Sequence, residues 1–364
     1  MIDERRLVSC FLDLVRIDSP SGHEHEVGEH VMGMLRALGA RVERDALGNV
    51  FAQLDGRGEP LLINAHLDTV VPGNGVQPVL EGGIIRSDGR TVLGGDDKSG
   101  VAIALEAVRA AQEQSIALPP LDILFTVQEE VGLKGAKAFD VTRLRAREGV
   151  GLDCGGPVGT VVVSAPSQDT LEVVVHGVAA HAGAAPEKGV SAIEVAADAI
   201  CHMRLGRIDE ETTANIGVVS GGQATNIVCD RVELRGEARS RSAQKLAEQT
   251  QAMVAALHEA AARRGVSADV QVNHEYTAYR LAPEEPVLRL LAEAAAEVGI
   301  EPSYVPSGGG ADANILNAAG IRVANFSTGM DQVHTTHERI AVADMVRAAE
   351  WLLACLRLRA GGCA

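Results

Sequence analysis

Three stretches of the 364-residue chain, PLLINA, LDILFTV and GVGLDC, are apolar at most positions and no longer than a strand. A strand that alternates apolar and polar residues keeps one face in water, whereas one that does not alternate is covered on both faces. Segments with helical periodicity, among them SGVAIALEAVRAA, separate these runs and can supply the cover. The pattern predicts an α/β layer around a parallel or mixed sheet. In such sheets ligands gather where strands end, and His66, Asp68, Glu129, Glu130 and Asp153 all stand at or just past the ends of these runs.

From about Ser167 the rhythm changes. TLEVVVHG reads as a strand, GVSAIEVAADAICHM as a helix, TTANIGVVSGG and NIVCDRVELRGEAR as two strands, SAQKLAEQTQAMVAALHEAAARRG as a helix and ADVQVNHEY as a strand. The order is βαββαβ, a ferredoxin-like arrangement. Its second helix carries Ser242 as N-cap, an apolar stripe at Leu246, Met253, Val254 and Leu257, and Gly265 just past its end. The α/β pattern resumes after about Glu275. The chain is too long for one ordinary core, so the expected organisation is one domain over 1–166 and 276–364 with a second inserted over 167–275.

Asp and Glu number 49 against 33 Lys and Arg, a formal charge of -16, which argues against nucleic acid or an anionic membrane as partner. The N-terminus, MIDERRLVSC, is charged before any apolar run develops, so no signal peptide is expected, and no stretch offers about 18 uninterrupted apolar residues. Cys10, Cys154, Cys201, Cys229, Cys355 and Cys363 are scattered singly. That spacing fits reduced thiols in a cytoplasmic protein better than disulfides or a thiolate zinc site.

Five polar clusters lie beside apolar strands or glycine turns: NAHLDTV (His66, Asp68), GGDDKSG (Asp96, Asp97), TVQEEVG (Glu129, Glu130), GLDCGG (Asp153) and DQVHTTHE (His334, His337, Glu338). Along a strand, residues i and i+2 share a face, so His66 and Asp68 project side by side. Charged groups at the ends of buried strands are costly unless paired or coordinated. Carboxylates and imidazoles with almost no cysteine point to a divalent metal, zinc first, with cobalt or manganese as alternatives. GGDDKSG is not a phosphate loop, because Lys98 follows Asp97 rather than glycine and two aspartates repel phosphate. Adjacent carboxylates such as Glu129 and Glu130 suit hydrolysis at a metal, one as ligand and one as general base.

Taken in order, HLDTV, GGDDKSG, QEE, LDCG and HTTHE resemble the co-catalytic zinc exopeptidases related to peptidase T, carboxypeptidase G, acetylornithine deacetylase and succinyl-diaminopimelate desuccinylase. GGDDKSG, HAGAAPEKGVSAI and GGADANIL are most similar to the peptidase T-like branch. The resemblance implies a mixed-sheet, three-layer α/β catalytic domain with an inserted ferredoxin-like domain serving as lid and dimerisation surface. It implies two divalent ions, one held by His66, Asp96 and Asp153 and the other by Asp96, Glu130 and His334. The family's aspartate two residues before lysine selects Asp96 over Asp97, and its histidine four residues before glutamate selects His334 over His337. Asp68 would hydrogen-bond the His66 imidazole, and Glu129 would be the general base for a metal-bridged hydroxide attacking the scissile amide.

In the inserted domain the resemblance gives His181 an oxyanion-stabilising role in the partner's site of a homodimer, and gives Asn226 and Arg239 contacts with substrate. Gly309, Gly310 and Asp312 of GGGADAN would shape the pocket rim. The expected substrates are di- and tripeptides. The family uses aspartate at the Asp153 position in peptidases and glutamate in deacylases, so an N-acyl amino acid deacylase is the alternative. A non-catalytic metal- or peptide-binding protein is a remoter one, since Glu129 and all five ligands are present.

Overall fold

The computed structural model describes residues 1–361; Cys363, counted above among the scattered thiols, lies outside them. Two compact units are present. The first comprises Met1–Val163, Arg280–Ser307 and the described residues from Ala311 onward, and the second comprises Ser164–Tyr279 with Gly308–Gly310.

The first unit is built on a nine-stranded mixed sheet. Leu121–Thr126, Leu61–His66, Glu148–Gly151 and Arg322–Phe326 run parallel as neighbours at its centre, and antiparallel pairings extend it on either side. Both Leu61–His66 and Leu121–Thr126 are buried at every position, as their unalternating sequences predict for strands covered on both faces. In the Glu148–Gly151 strand a Cβ on Gly151 would fall 1.8 Å from Asn325 Oδ1, so glycine there leaves room for the Asn325 side chain. The helices Glu4–Arg16, Gly95–Glu113, Val342–Arg359 and Pro286–Glu297 pack in series. Trp351, fully buried on Val342–Arg359, lies 4.7 Å from the Phe326 ring and donates its indole N–H to the Leu291 carbonyl.

A separate four-stranded sheet, Met330–Asp331, Arg339–Ala341, Ile84–Arg86 and Val79–Glu81, is not foreseen in the sequence. Strands of two or three residues are too short to show a period of two.

In the second unit the strand order is Gly206–Arg207, Thr212–Gly221, Arg231–Ser240, Ser167–His176, Ala268–Tyr276, all antiparallel. The helices Ala192–His202 and Ala243–Arg263 bury Val195, Ala199, Leu246, Met253 and Leu257 in a common core with Leu171, Val173, Val175 and Leu234 of the sheet. Ser242 caps the second helix by accepting from Lys245 N, and Gly265 adopts φ +69° just past its end. Gly308–Gly310 group with this unit, whereas the expected boundary placed them in the other domain. The reason is a close approach: a Cβ on Gly310 would fall 2.2 Å from the Tyr276 ring. Among the described residues, no helix is long and apolar enough to cross a membrane.

Candidate metal centre

His66 is the last residue of its strand and is 1% exposed. Its Nδ1 lies 3.0 Å from the main-chain carbonyl of Asp68 and its Nε2 lies 3.1 Å from Asp96 Oδ1. The expected partner for the ring, the Asp68 carboxylate, is farther away at 3.5 Å. That carboxylate also accepts from the main-chain N–H of Glu129 (2.9 Å) and Glu130 (3.2 Å) and from the Ser21 hydroxyl (2.6 Å). Gln128 has φ +54°, and the turn it opens presents both N–H groups to Asp68. His66 Nδ1 thus faces both the carbonyl and, more distantly, the carboxylate of Asp68, and the same carboxylate holds the Glu129–Glu130 turn.

Asp96 stands where Gly95–Glu113 opens, and neither it nor Asp97 has helical backbone angles. His334 Nε2 lies 3.2 Å from Asp96 Oδ2 and 2.9 Å from Glu130 Oε1. Ligand-capable atoms of His66, Asp96 and Asp153 lie within 4.8 Å of one another, and so do those of Asp96, Glu130 and His334. A third group of the same compactness combines His66, Glu129 and Glu130. Asp97 belongs to none of these groups. It is fully buried, Oδ2 accepts from His66 N, and Oδ1 points at Gly100, where a Cβ would come within 2.4 Å. His337 is likewise in no group. Lys98 turns away, donating Nζ to the Ile17 carbonyl at 2.9 Å, and burial lowers its pKa to about 8.

The electrostatics of this cluster fit a cation. Burial, reinforced by Asp96, raises the Asp153 pKa to about 8, and burial with Asp153 nearby raises Glu129 well above the ordinary carboxylate range. Burial opposes a charge on Asp96 too, but hydrogen bonds from His334 and His66 outweigh it and push its pKa down. Hydrogen bonds to Asp96 and Glu130 raise His334 to about 10. Like charges crowded in a low dielectric are relieved by divalent ions, and a donor set of carboxylates and imidazoles suits zinc, cobalt or manganese. A metal bound to the folded chain alone, at a hundredfold excess over its Kd, adds about 2.7 kcal/mol of stability. Chelation should accordingly lower the melting temperature, and zinc should restore it; a melting curve indifferent to chelator counts against metal binding here.

Several supporting residues carry no recognisable sequence signal. Glu24, 6% exposed, accepts at Oε1 from Gly22 N and from Gln128 N (3.0 Å), bracing the Glu129 turn from the SPSGHE stretch. Ser19 donates to the Leu67 carbonyl. Polar residues in a turn are ordinary, so nothing local marks these two. Asp312 corrects an expectation: it lies at no rim but is 3% exposed, accepting from the Thr126 hydroxyl and Asn64 Nδ2 beneath the strand ends. It opens the helix Asp312–Ala318, and burial raises its pKa.

In the second unit, His181 and Asn226 sit on exposed loops joined by Ala182 N donating to the Asn226 carbonyl at 2.9 Å. The N–H groups of Gly183 and Ala184 both donate to His181 Nδ1 at 3.1 Å. With Nδ1 accepting, Nε2 is the ring nitrogen left to donate. Arg239 donates Nε and Nη2 to Glu237, each at 3.0 Å, so Glu237 engages one edge of the guanidinium expected to meet a substrate carboxylate. Gly310 is required by Tyr276, a packing demand.

Residues 62–358 match the family described as Peptidase family M20/M25/M40. The chain belongs to that family. Among solved structures, this M20/M25/M40 peptidase is similar to aminopeptidase PepT from Bacillus cereus ATCC 10987, with 42% identity, TM-score 0.89 and 99% of each chain covered. It is also similar to a tripeptidase from Staphylococcus aureus subsp. aureus Mu50, with 37% identity, TM-score 0.94, and 99% of this chain and 100% of that one covered. Uncharacterized protein YqjE of Bacillus subtilis (strain 168) is 42% identical over 98% of this chain and 99% of its own length. Membership makes the chain a hydrolase of the metallo-exopeptidase class, peptidase T-like in its resemblance.

Proposed function

We propose that the chain is a dinuclear metallo-aminopeptidase that cleaves di- and tripeptides, with zinc as its metal. The observation that carries this reading is Asp96, shared by two compact groups of ligand-capable atoms, with Glu129 held beside them. His66, Asp96 and Asp153 would hold one ion and Asp96, Glu130 and His334 the other, with Asp96 bridging. Bound there, the two ions supply Lewis acidity that activates water and polarises the scissile carbonyl.

The chain's own residues do the rest. Glu129, its main chain fixed by Asp68, takes a proton from the attacking water and passes it to the leaving amine. Burial that raises its proton affinity suits a group that must both accept and give up that proton. His181 presents Nε2–H to the oxyanion of the tetrahedral intermediate, contributed by the partner subunit of a homodimer formed through the inserted lid domain. Asn226 contacts the substrate. Arg239, aligned by Glu237, and the main chain at Gly309 and Gly310 receive the substrate carboxylate. The names of the PepT and tripeptidase relatives support short peptides as substrates.

A release assay on free tripeptides, N-acetylated tripeptides, C-amidated tripeptides and N-acyl amino acids tests the reading. Both acetylation and amidation should depress kcat/KM. Arg239→Ala should remove most of the amidation penalty and leave the acetylation penalty, since one charge-assisted hydrogen bond is worth about 1.5 to 3 kcal/mol. Faster turnover of N-acyl amino acids than of free tripeptides would replace the peptidase with a deacylase.

A further inference from the structure

Glu338 is 1% exposed, and its carboxylate is enclosed by main-chain donors rather than by side chains. Oε2 accepts from Leu93 N at 2.7 Å and Gly94 N at 2.8 Å, and Oε1 accepts from Asp96 N at 2.9 Å. These donors need an outside partner. Gly94 is left-handed at φ +76°, Asp96 and Asp97 are not helical, and the first N–H groups of any helix lack intrahelical acceptors. At its other end, Glu338 N donates to the Thr335 carbonyl, closing the turn that follows His334, itself at φ +62°. One residue thus ties the loop carrying Asp96 to the loop carrying His334, across 242 positions of sequence. The loop is also shaped around the carboxylate: a Cβ on Gly95 would fall 3.0 Å from Glu338 Oε1.

We propose that Glu338 is a positioning residue that sets the separation between Asp96 Oδ2 and His334 Nε2, 3.2 Å here, and so the affinity of the metal position those two residues share. The inference rests on the reading of Asp96 and His334 as ligands. A carboxylate is needed because all three contacts require an acceptor. Glutamine has the same shape but turns an NH2 group toward at least one main-chain N–H, whichever way its amide is placed.

The test uses the full chain with Glu338→Gln, and with Gly95→Ala, which keeps the carboxylate but crowds it. Zinc affinity is measured by competition with a chromophoric chelator, alongside the melting temperature in chelator and kcat and KM on a tripeptide. Both variants should bind zinc at the position shared by Asp96 and His334 about 10- to 100-fold more weakly than wild type. In both, kcat should fall with KM little changed, and excess zinc should restore most of kcat, which a general loss of structure would not allow. If Glu338→Gln does not fold, Gly95→Ala decides. Folded variants with wild-type affinity for both ions overturn the proposal. A wild-type chain that takes up fewer than two zinc ions overturns the ligand reading first, and the proposal with it.

Discussion

Asp96→Ala should strip both metal ions from the chain, whereas Glu129→Gln should leave both in place and lose turnover. The first result follows from geometry: Asp96 offers one oxygen toward His66 at 3.1 Å and the other toward His334 at 3.2 Å, and it belongs to two of the three compact ligand groups. Removing it takes a donor from each proposed ion and leaves the neighbouring carboxylates without the charge that gathers them. The second follows from the division of labour between adjacent glutamates. Glu130 lies 2.9 Å from His334 Nε2, while Glu129 stands 8% exposed and raised in pKa by burial. Glutamine keeps the shape of Glu129 and loses its capacity to carry a proton, so kcat should drop about 10²- to 10⁴-fold. Elemental analysis beside a tripeptide assay checks both. A Glu129→Gln chain that is active sinks the base assignment, and one that loses an ion makes Glu129 a ligand, as its grouping with His66 and Glu130 would allow.

His181→Ala should cost about 10²- to 10³-fold in kcat, the price of one oxyanion donor, or about 2.7 to 4 kcal/mol in the barrier. The geometry supports the role, because the amides of Gly183 and Ala184 occupy Nδ1 and leave Nε2 to donate. If the donor serves the partner's site, mixing His181→Ala chains with Glu129→Gln chains should recover activity, since one site of each mixed dimer then inherits both intact groups. Dimers verified as mixed but still inactive would place His181 in its own chain's chemistry or outside it. Gly183 and Ala184 substitutions to proline offer a control, since proline has no N–H to hold Nδ1.

Sequence alone determined what depends on local pattern. The unalternating runs PLLINA and LDILFTV became the buried strands Leu61–His66 and Leu121–Thr126, and the capped, striped SAQKL segment became the helix Ala243–Arg263. Burial and period act within a dozen residues, so they are written where they act. Motif order was legible as well, since each polar cluster stands at a strand end or glycine turn. Tertiary structure decided which groups meet. Two aspartates adjacent in GGDDKSG part company, Asp96 toward His66 and His334 and Asp97 into the protein beside Gly100. The Asp68 carboxylate, 3.5 Å from the imidazole two residues away, also gathers the amides of Glu129 and Glu130, 61 and 62 positions distant. Asp312 lies under the strands instead of at a rim, and Gly310 answers to the Tyr276 ring. Glu24 and Glu338 hold turns 104 and 242 positions distant from them. A carboxylate in a sequence has no preferred partner; it takes whichever unsatisfied main-chain N–H groups the folded backbone directs at it, and only the packing of distant segments brings those groups within reach.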